Sequence, residues 1–299
     1  VKAAGTRYLP RLDSQTDDEY AAYKKRASFF NAMARTAEGL VGLIFRREPI
    51  FHLPERGLGG PGHHTTRLGR ALKQFVTDAD MLGARLSGYA KNVVQEIMLV
   101  GRAGTLVDWA TSSGASRTGD WARHGHLASE DRAYVVMYQA EDIINWRMER
   151  VDGRNVLTLV VLKENAEILK AETLKSEGDF ERESVEQIRV LRLATVRDEK
   201  SKFNGQRIYT VEIWQRSARG PRATSRRAKR NWELIEIRTP LRRGKPLPLI
   251  PFVFHGPRHS LPVVDKLPLG DIIAVNLDHY RLNADYKHGL HFTALPTAW

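Results

Sequence analysis

Ile208-Tyr209-Thr210-Val211-Glu212-Ile213-Trp214, followed by Trp232-Glu233-Leu234-Ile235-Glu236-Ile237, is the stretch on which the fold turns. β-Branched and aromatic residues dominate both runs, and the apolar positions alternate, which is the period of a strand with one buried face. Four more short runs of the same character precede them: Tyr134–Tyr138, Ile143–Met148, Val156–Leu162 and Gln187–Leu193. Asp152-Gly153 and Asn204-Gly205 fall between runs, where glycine frees the backbone for a tight reversal. The middle of the chain therefore reads as mostly antiparallel sheet. Beyond it, Thr239 to Pro268 carries seven prolines and is expected to be irregular or edge-strand structure, because proline cannot donate to a ladder.

Towards both ends the period changes from two to three or four. Thr16 with Glu19 three positions later is a capping-box pattern, with Asp17 and Asp18 placed well for a helix dipole. Tyr20, Tyr23, Ala27, Phe30, Ala34 and Ala37 then recur at helical steps as one apolar face. A second helical block is expected from about Leu68 to Leu99, with Tyr89, Val93, Ile97 and Val100 on one face and Gly101 and Gly104 closing it. Thr105-Leu106-Val107-Asp108-Trp109 reads as a first strand. Residues 57–64 and 111–130 are loops by composition. Pro268 stands at a helix start, and Asp271 to Leu290 reads as one long helix ending near Gly289. The fold class expected is α+β, in three regions: a helical part at 1–110, a β-rich part at 111–265, and a C-terminal helix with the start of a further segment at 266–299.

Composition narrows the partners. Lys plus Arg total 47 against 35 Asp plus Glu, an excess of 12, and the pI is about 9.9. Such an excess points to contact with a polyanion, nucleic acid before a membrane surface; a basic protein kept soluble by its charge is the plain alternative. No apolar run approaches the eighteen or so residues of a membrane span, and Val1-Lys2-Ala3-Ala4-Gly5 has no signal-peptide core. The chain starts without Met, so upstream residues are expected. Cysteine is absent, which rules out disulfides and cysteine-ligated zinc within this sequence and suits a cytoplasmic origin.

Enzymatic machinery is missing from the sequence. The glycine cluster at 57–62 lacks the lysine of a phosphate loop; Gly-x-Ser-x-Gly does not occur, and a cysteine nucleophile is impossible. His288 and His291 near a helix end, with Asp285 close by, have the makings of a metal site, but a dipole-favoured helix terminus accounts for them better. Asp17-Asp18 and Glu130-Asp131 flank element starts, where capping explains them. No catalytic residue, cofactor or metal ligand is therefore assigned.

Two features do carry chemistry. Arg216, Arg219, Arg222, Arg226, Arg227, Lys229 and Arg230 place seven cations in fifteen residues with no acid, in the hairpin between the two runs quoted first. An anionic partner, DNA phosphate or an acidic protein patch, would relieve their mutual repulsion; a solvated loop is the plain alternative. The second feature is the last helix. Asp271, Asp278 and Asp285 recur every seven residues on one face, and Arg281 is spaced to pair with either of the last two. Leu269, Ile272, Ile273, Leu277, Tyr280, Ala284 and Leu290 supply its apolar side. Identical helices packed around a ring would present such stripes, as would an ordinary surface helix.

Several segments, in order along the chain, resemble one group of tailed-bacteriophage portal proteins. They are Tyr8-Leu9-Pro10-Arg11, Tyr20-x-x-Tyr23-x-x-Arg26-Ala27-x-Phe29-Phe30-Asn31-Ala32, Gly101-Arg102-Ala103-Gly104 leading to Leu106-Val107-Asp108, Ala140-Glu141-Asp142-Ile143-Ile144-Asn145-Trp146-Arg147, Pro251-Phe252-Val253-Phe254 before Leu267-Pro268-Leu269, and Asn276-Leu277-x-His279-Tyr280-Arg281-x-x-Ala284-Asp285-Tyr286. The resemblance implies a structural, non-catalytic subunit of a homo-oligomeric ring, typically dodecameric, at one capsid vertex of the virion. Such a head–tail connector is the channel for packaging and ejection of double-stranded DNA. It docks terminase, which supplies nucleotide hydrolysis, as well as head–tail adaptors and the major capsid protein, with assembly in the host cytoplasm. By the same resemblance residues 1–265 form the wing, and the helix after Pro268 begins the stem. Asp271, Asp278, Arg281 and Asp285 would then lie at the subunit interface or channel, and the basic hairpin would face away from the channel axis, because seven cations per subunit would grip passing DNA. A stand-alone nucleic-acid-binding protein using the basic hairpin is the rival reading.

Overall fold

A computed structural model describes residues 1–53, 67–109, 132–151, 153–168, 183–216, 232–242 and 244–293. It has the expected α+β composition, with helices at both ends of the chain and antiparallel sheets between them. The expected loops at 57–64 and 111–130, and all of the basic run after Arg216, lie outside the described residues.

Two helices follow a short 3₁₀ segment at the N-terminus: α1 (Asp17–Arg26) and α2 (Ala32–Ile44). The capping box at α1 forms as the sequence predicts: Thr16 Oγ1 accepts from the Glu19 amide, and Glu19 accepts from the Thr16 amide at 2.7 Å. That exchange holds the Glu19 carboxyl below its ordinary range. The apolar face read as continuous from Tyr20 to Ala37 is in fact broken. Ala27 is extended, and Asn31 caps a new helix by accepting from the Ala34 amide at 3.1 Å. Phe30, in the gap, is exposed.

The second helical block is also split, into α3 (Arg67–Thr77) and α4 (Leu86–Val100). Between them the chain reverses through Met81 and Gly83, both at positive φ, with the Asp80 carboxylate accepting from the Leu82 and Ala84 amides. Helical periodicity survives such an interruption because each half keeps its own apolar face. Gly101, at φ 81°, ends α4 in the left-handed conformation that glycine adopts without a Cβ clash.

Strands β1 (Ala103–Trp109) and β2 (Ala133–Gln139) pair antiparallel. Next comes a five-stranded meander: β3 (Ile143–Val151), β4 (Arg154–Ile168), β5 (Glu183–Thr195), β6 (Arg207–Arg216) and β7 (Trp232–Arg238), hydrogen-bonded in that order. The proline-rich stretch contributes a minimal hairpin, β8 (Leu241–Arg242) and β9 (Lys245–Pro246), and then β10 (Phe252–His255). β10 pairs with β1, so the three-stranded sheet runs β10-β1-β2. The expected edge-strand role of the proline-rich stretch is met here: Pro251 precedes β10, and β10 needs a partner on one side alone.

The two larger sheets enclose the main core. Leu106, Tyr138, Phe252 and Phe254 from the smaller sheet meet Ile143, Val160, Leu162, Leu191, Leu193, Tyr209, Val211 and Ile213 from the larger. Gly104 sits where they close, and a Cβ there would lie 2.3 Å from the Phe252 ring and 2.9 Å from Ile143. A charged cluster spans the same seam. Arg189 bonds Glu164 at 2.7 Å and Asp108 at 3.2 Å, Gln187 donates to Glu164 at 2.7 Å, and Tyr138 donates to Glu164 at 2.5 Å. Burial works against the Arg189 charge, but the two carboxylates beside it hold it more firmly protonated than a free guanidinium. Burial, reinforced by Glu164, pushes the Tyr138 hydroxyl well up. These groups satisfy one another, and the cluster reads as a strut between sheets.

The final helix, α5 (Gly270–Thr293), passes Gly289 and stays helical to the last described residue. A second, separate core forms along it, from Leu9, Tyr20, Tyr23, Ala27, Tyr280 and Ala284, with Phe29 against them. The first thirty residues therefore clamp the last helix.

Candidate subunit interface on the C-terminal helix

With 3.6 residues per turn, Asn276, Tyr280 and Ala284 share one side of α5, and all three are buried. Tyr280 meets Phe29 edge-on at 5.5 Å between ring centres. Asn276 turns its carbonyl oxygen to the start of α2, accepting from the Ala32 amide at 2.8 Å and the Met33 amide at 3.4 Å. A residue 244 positions away thus supplies part of the cap that a helix N-terminus needs. Lower on the helix, Tyr23 donates to Asp285 at 2.5 Å, Arg26 donates to His288 Nδ1 at 2.9 Å, and Lys287 bonds Ser28. Burial raises the Tyr23 hydroxyl well above its usual range, and the Asp285 carboxylate adds to the shift. His288, weighed in the sequence as half of a metal pair, is instead placed between Arg26 and the edge of Tyr23. Among the described residues no group of three His, Asp or Glu side chains is placed to hold a metal ion.

The aspartate row divides. Asp271 stands exposed in the first turn. Asp278 is exposed and pairs with Arg281 at 3.1 Å, while Arg281 also donates to the Tyr8 carbonyl at 3.1 Å. Asp285, at the margin of the row, is held by Tyr23. Two of the four residues singled out in the sequence thus have partners on the N-terminal clamp, a relation that spacing within one helix cannot reveal.

A further row escaped the sequence reading. Val275, Leu282 and Tyr286 are 69%, 68% and 66% exposed, and Leu290 extends their line. Steps of seven, four and four put them on one side of the helix, about a third of a turn from the buried side and next to the aspartates. The helix is apolar on two faces, and the clamp covers one of them. The spacing 275-282-286-290 is visible in the sequence, but a surface helix ordinarily has one apolar stripe, and Leu290 falls at the edge of the stripe that holds Ile272.

The basic hairpin can be followed to its root. β6 and β7 pair antiparallel with Arg216 opposite Trp232, so residues 217–231 connect them as the sequence expected. Arg216 pairs with Glu186 at 3.4 Å. Arg219, Arg222, Arg226, Arg227, Lys229 and Arg230 lie outside the described residues. Among the described residues no helix is long and apolar enough to cross a membrane. Compared with known protein families and with curated proteins, the chain matches none.

Proposed function

We propose that the chain is a structural subunit of a homo-oligomeric ring, the portal of a tailed-phage head, through which double-stranded DNA enters and leaves. The observation that carries this reading is the second apolar row on α5. A helix clamped on one side and apolar on another needs a further partner, and an identical neighbour in a closed ring supplies it without leaving an unmatched surface. The exposed Asp271 and Asp278 beside that row suit a helix with one side turned to water. Further support comes from the ordered resemblance of segments from Tyr8 to Tyr286, several of which mark structural points: Tyr20, Tyr23, Ala27, Asn276, Tyr280 and Asp285 build the clamp, and Gly104 closes the main core.

In this reading the chain performs no catalysis. Its work is to hold a channel at the capsid vertex of the virion and to dock terminase, head–tail adaptors and the major capsid protein after assembly in the host cytoplasm. The basic hairpin meets an anionic partner, packaged DNA or an acidic protein surface, away from the channel axis. Mass measurement in solution, with electron micrographs of the full-length protein, tests the proposal. Rings are expected, and Leu282→Asp with Tyr286→Asp should yield folded single subunits. A folded monomer from the unaltered full-length protein, binding DNA through the hairpin, would replace this reading with a stand-alone nucleic-acid-binding protein.

A further inference from the structure

The face of the five-stranded sheet turned away from the main core does not alternate as an exposed face should. Ladder partners share a face: Ile188 lies opposite Trp214, Val190 opposite Glu212, and Trp214 opposite Leu234. The core face takes Leu191, Val211 and Ile213, so these others point outward, yet most of them are apolar. Together with Trp232 and Arg192 they line an open groove of about 320 Å³. Val190 is buried in its lining, and Ile188 is the ladder partner of Trp214 there. Arg192 and Glu212 close one side as a pair at 2.8 Å, and Glu212 also accepts from the Trp214 ring N–H at 3.1 Å.

We infer that this groove is a docking site for an acidic polypeptide segment carrying an apolar or aromatic anchor residue. The anchor fills the groove between Trp214 and Trp232, in the manner of a buried hot-spot side chain with a charged rim. The acidity of the partner follows from charge. Trp232, which lines the groove, is the ladder partner of Arg216, and the chain that links those two residues carries six further cations and no acid. Nucleic acid is the less suited occupant. Phosphates would be brought against Glu212 in the groove wall and Glu186 beside Arg216, whereas a side-chain anchor leaves both carboxylates to their arginines. The inference stands apart from ring formation, since the groove is on the sheet and not on α5.

Fluorescence anisotropy on the full chain tests it. The probe is a labelled ten-residue peptide of Asp and Glu with Phe and Leu two positions apart; a second peptide has Ser at both apolar positions, and a third probe is a ten-nucleotide oligothymidylate. The first peptide should bind at least tenfold more tightly than the second. Val190→Glu should abolish that preference, and Trp232→Ala, at the sheet edge, carries the same test should the first variant fail to fold. Oligothymidylate held by hairpin charge alone should be insensitive to both. Equal binding of the two peptides, no binding of either, or oligothymidylate binding that falls with the groove variants would each overturn the inference.

Discussion

Tyr280 offers the sharpest test of the clamp, because one side chain joins the last helix to the first. It is 1% exposed and lies against Tyr20, Tyr23 and Phe29. An aromatic side chain buries about 150–250 Å², and at about 25 cal/mol/Å² that area corresponds to roughly 4–6 kcal/mol. The unfolded chain already hides part of this surface and alanine retains some, so Tyr280→Ala should cost about 3–4 kcal/mol, including the lost edge contact with Phe29. The loss should be local, because the clamp core shares no buried residue with the core between the sheets. Hydrogen exchange should show amides of α1 and α5 opening first, while those of β4, β5 and β6 keep their protection. Urea unfolding followed by circular dichroism measures the magnitude. A cost below about 1 kcal/mol, or equal loss of protection in β5, would refute the division into two cores.

Three other perturbations probe distinct parts. Gly104→Ala should destabilise by at least about 1–3 kcal/mol in thermal or urea unfolding, because its Cβ would meet the Phe252 ring at 2.3 Å; a wild-type midpoint would contradict the close approach. Asp265, its side chain 2% exposed, is held down to about 2 by its hydrogen bond from Arg258 and by the Lys266 amide. A depressed carboxyl favours the fold above its unfolded value near 3.9, so this contribution should fade as pH falls from about 4 towards about 2, and Asp265→Asn should flatten that limb of an acid-unfolding curve. Replacing Arg222, Arg226, Arg227 and Arg230 by Ser should leave the circular dichroism spectrum unchanged. It should weaken DNA binding most at low salt and lower the salt slope by up to about 3–4, and an unaltered slope would remove DNA from the hairpin's partners.

Much of this fold was legible because the signals are local. The strand runs, the Thr16–Glu19 box, the paired strands around the basic run and the Pro268 helix start all depend on neighbours within a few residues. The breaks at Ala27–Asn31 and Asp78–Arg85 were not read, since each half-helix keeps apolar spacing and the reversal needs contacts from elsewhere. The candidate site was legible in part. Asp271 and Asp278 stand on an exposed row as the heptad suggested. The attachment of Asp285 to Tyr23 and the cap that Asn276 gives α2 are set by tertiary contacts 262 and 244 residues apart, which no periodicity encodes. The outward apolar row of β5 and β6 was hidden by the same alternation that revealed the strands: with apolar residues on both faces, spacing cannot say which face is covered.

One joint ties the entry of α5 to the end of α4. α4 contacts β1, α2 contacts both α4 and α5, and the chain enters α5 past the end of α4. At that crossing Gly101 lies against the Asp265 carbonyl and the Leu267 side chain, only a few residues before the helix begins. An added Cβ would be 3.2 Å from that carbonyl oxygen, and the left-handed φ of 81° costs a non-glycine residue about 1–2 kcal/mol by itself. Gly101→Ala should therefore destabilise the chain by about 1–2 kcal/mol or somewhat more. It should also loosen the Asp265–Leu267 segment that leads into α5 while sparing the Tyr280 cluster, which lies further along the helix. In the ring proposed above, the angle between helix and sheet fixes how neighbours meet, so the variant should give open or uneven rings in micrographs in place of one uniform size. Uniform rings together with a wild-type melting temperature would show that the joint does not set the angle.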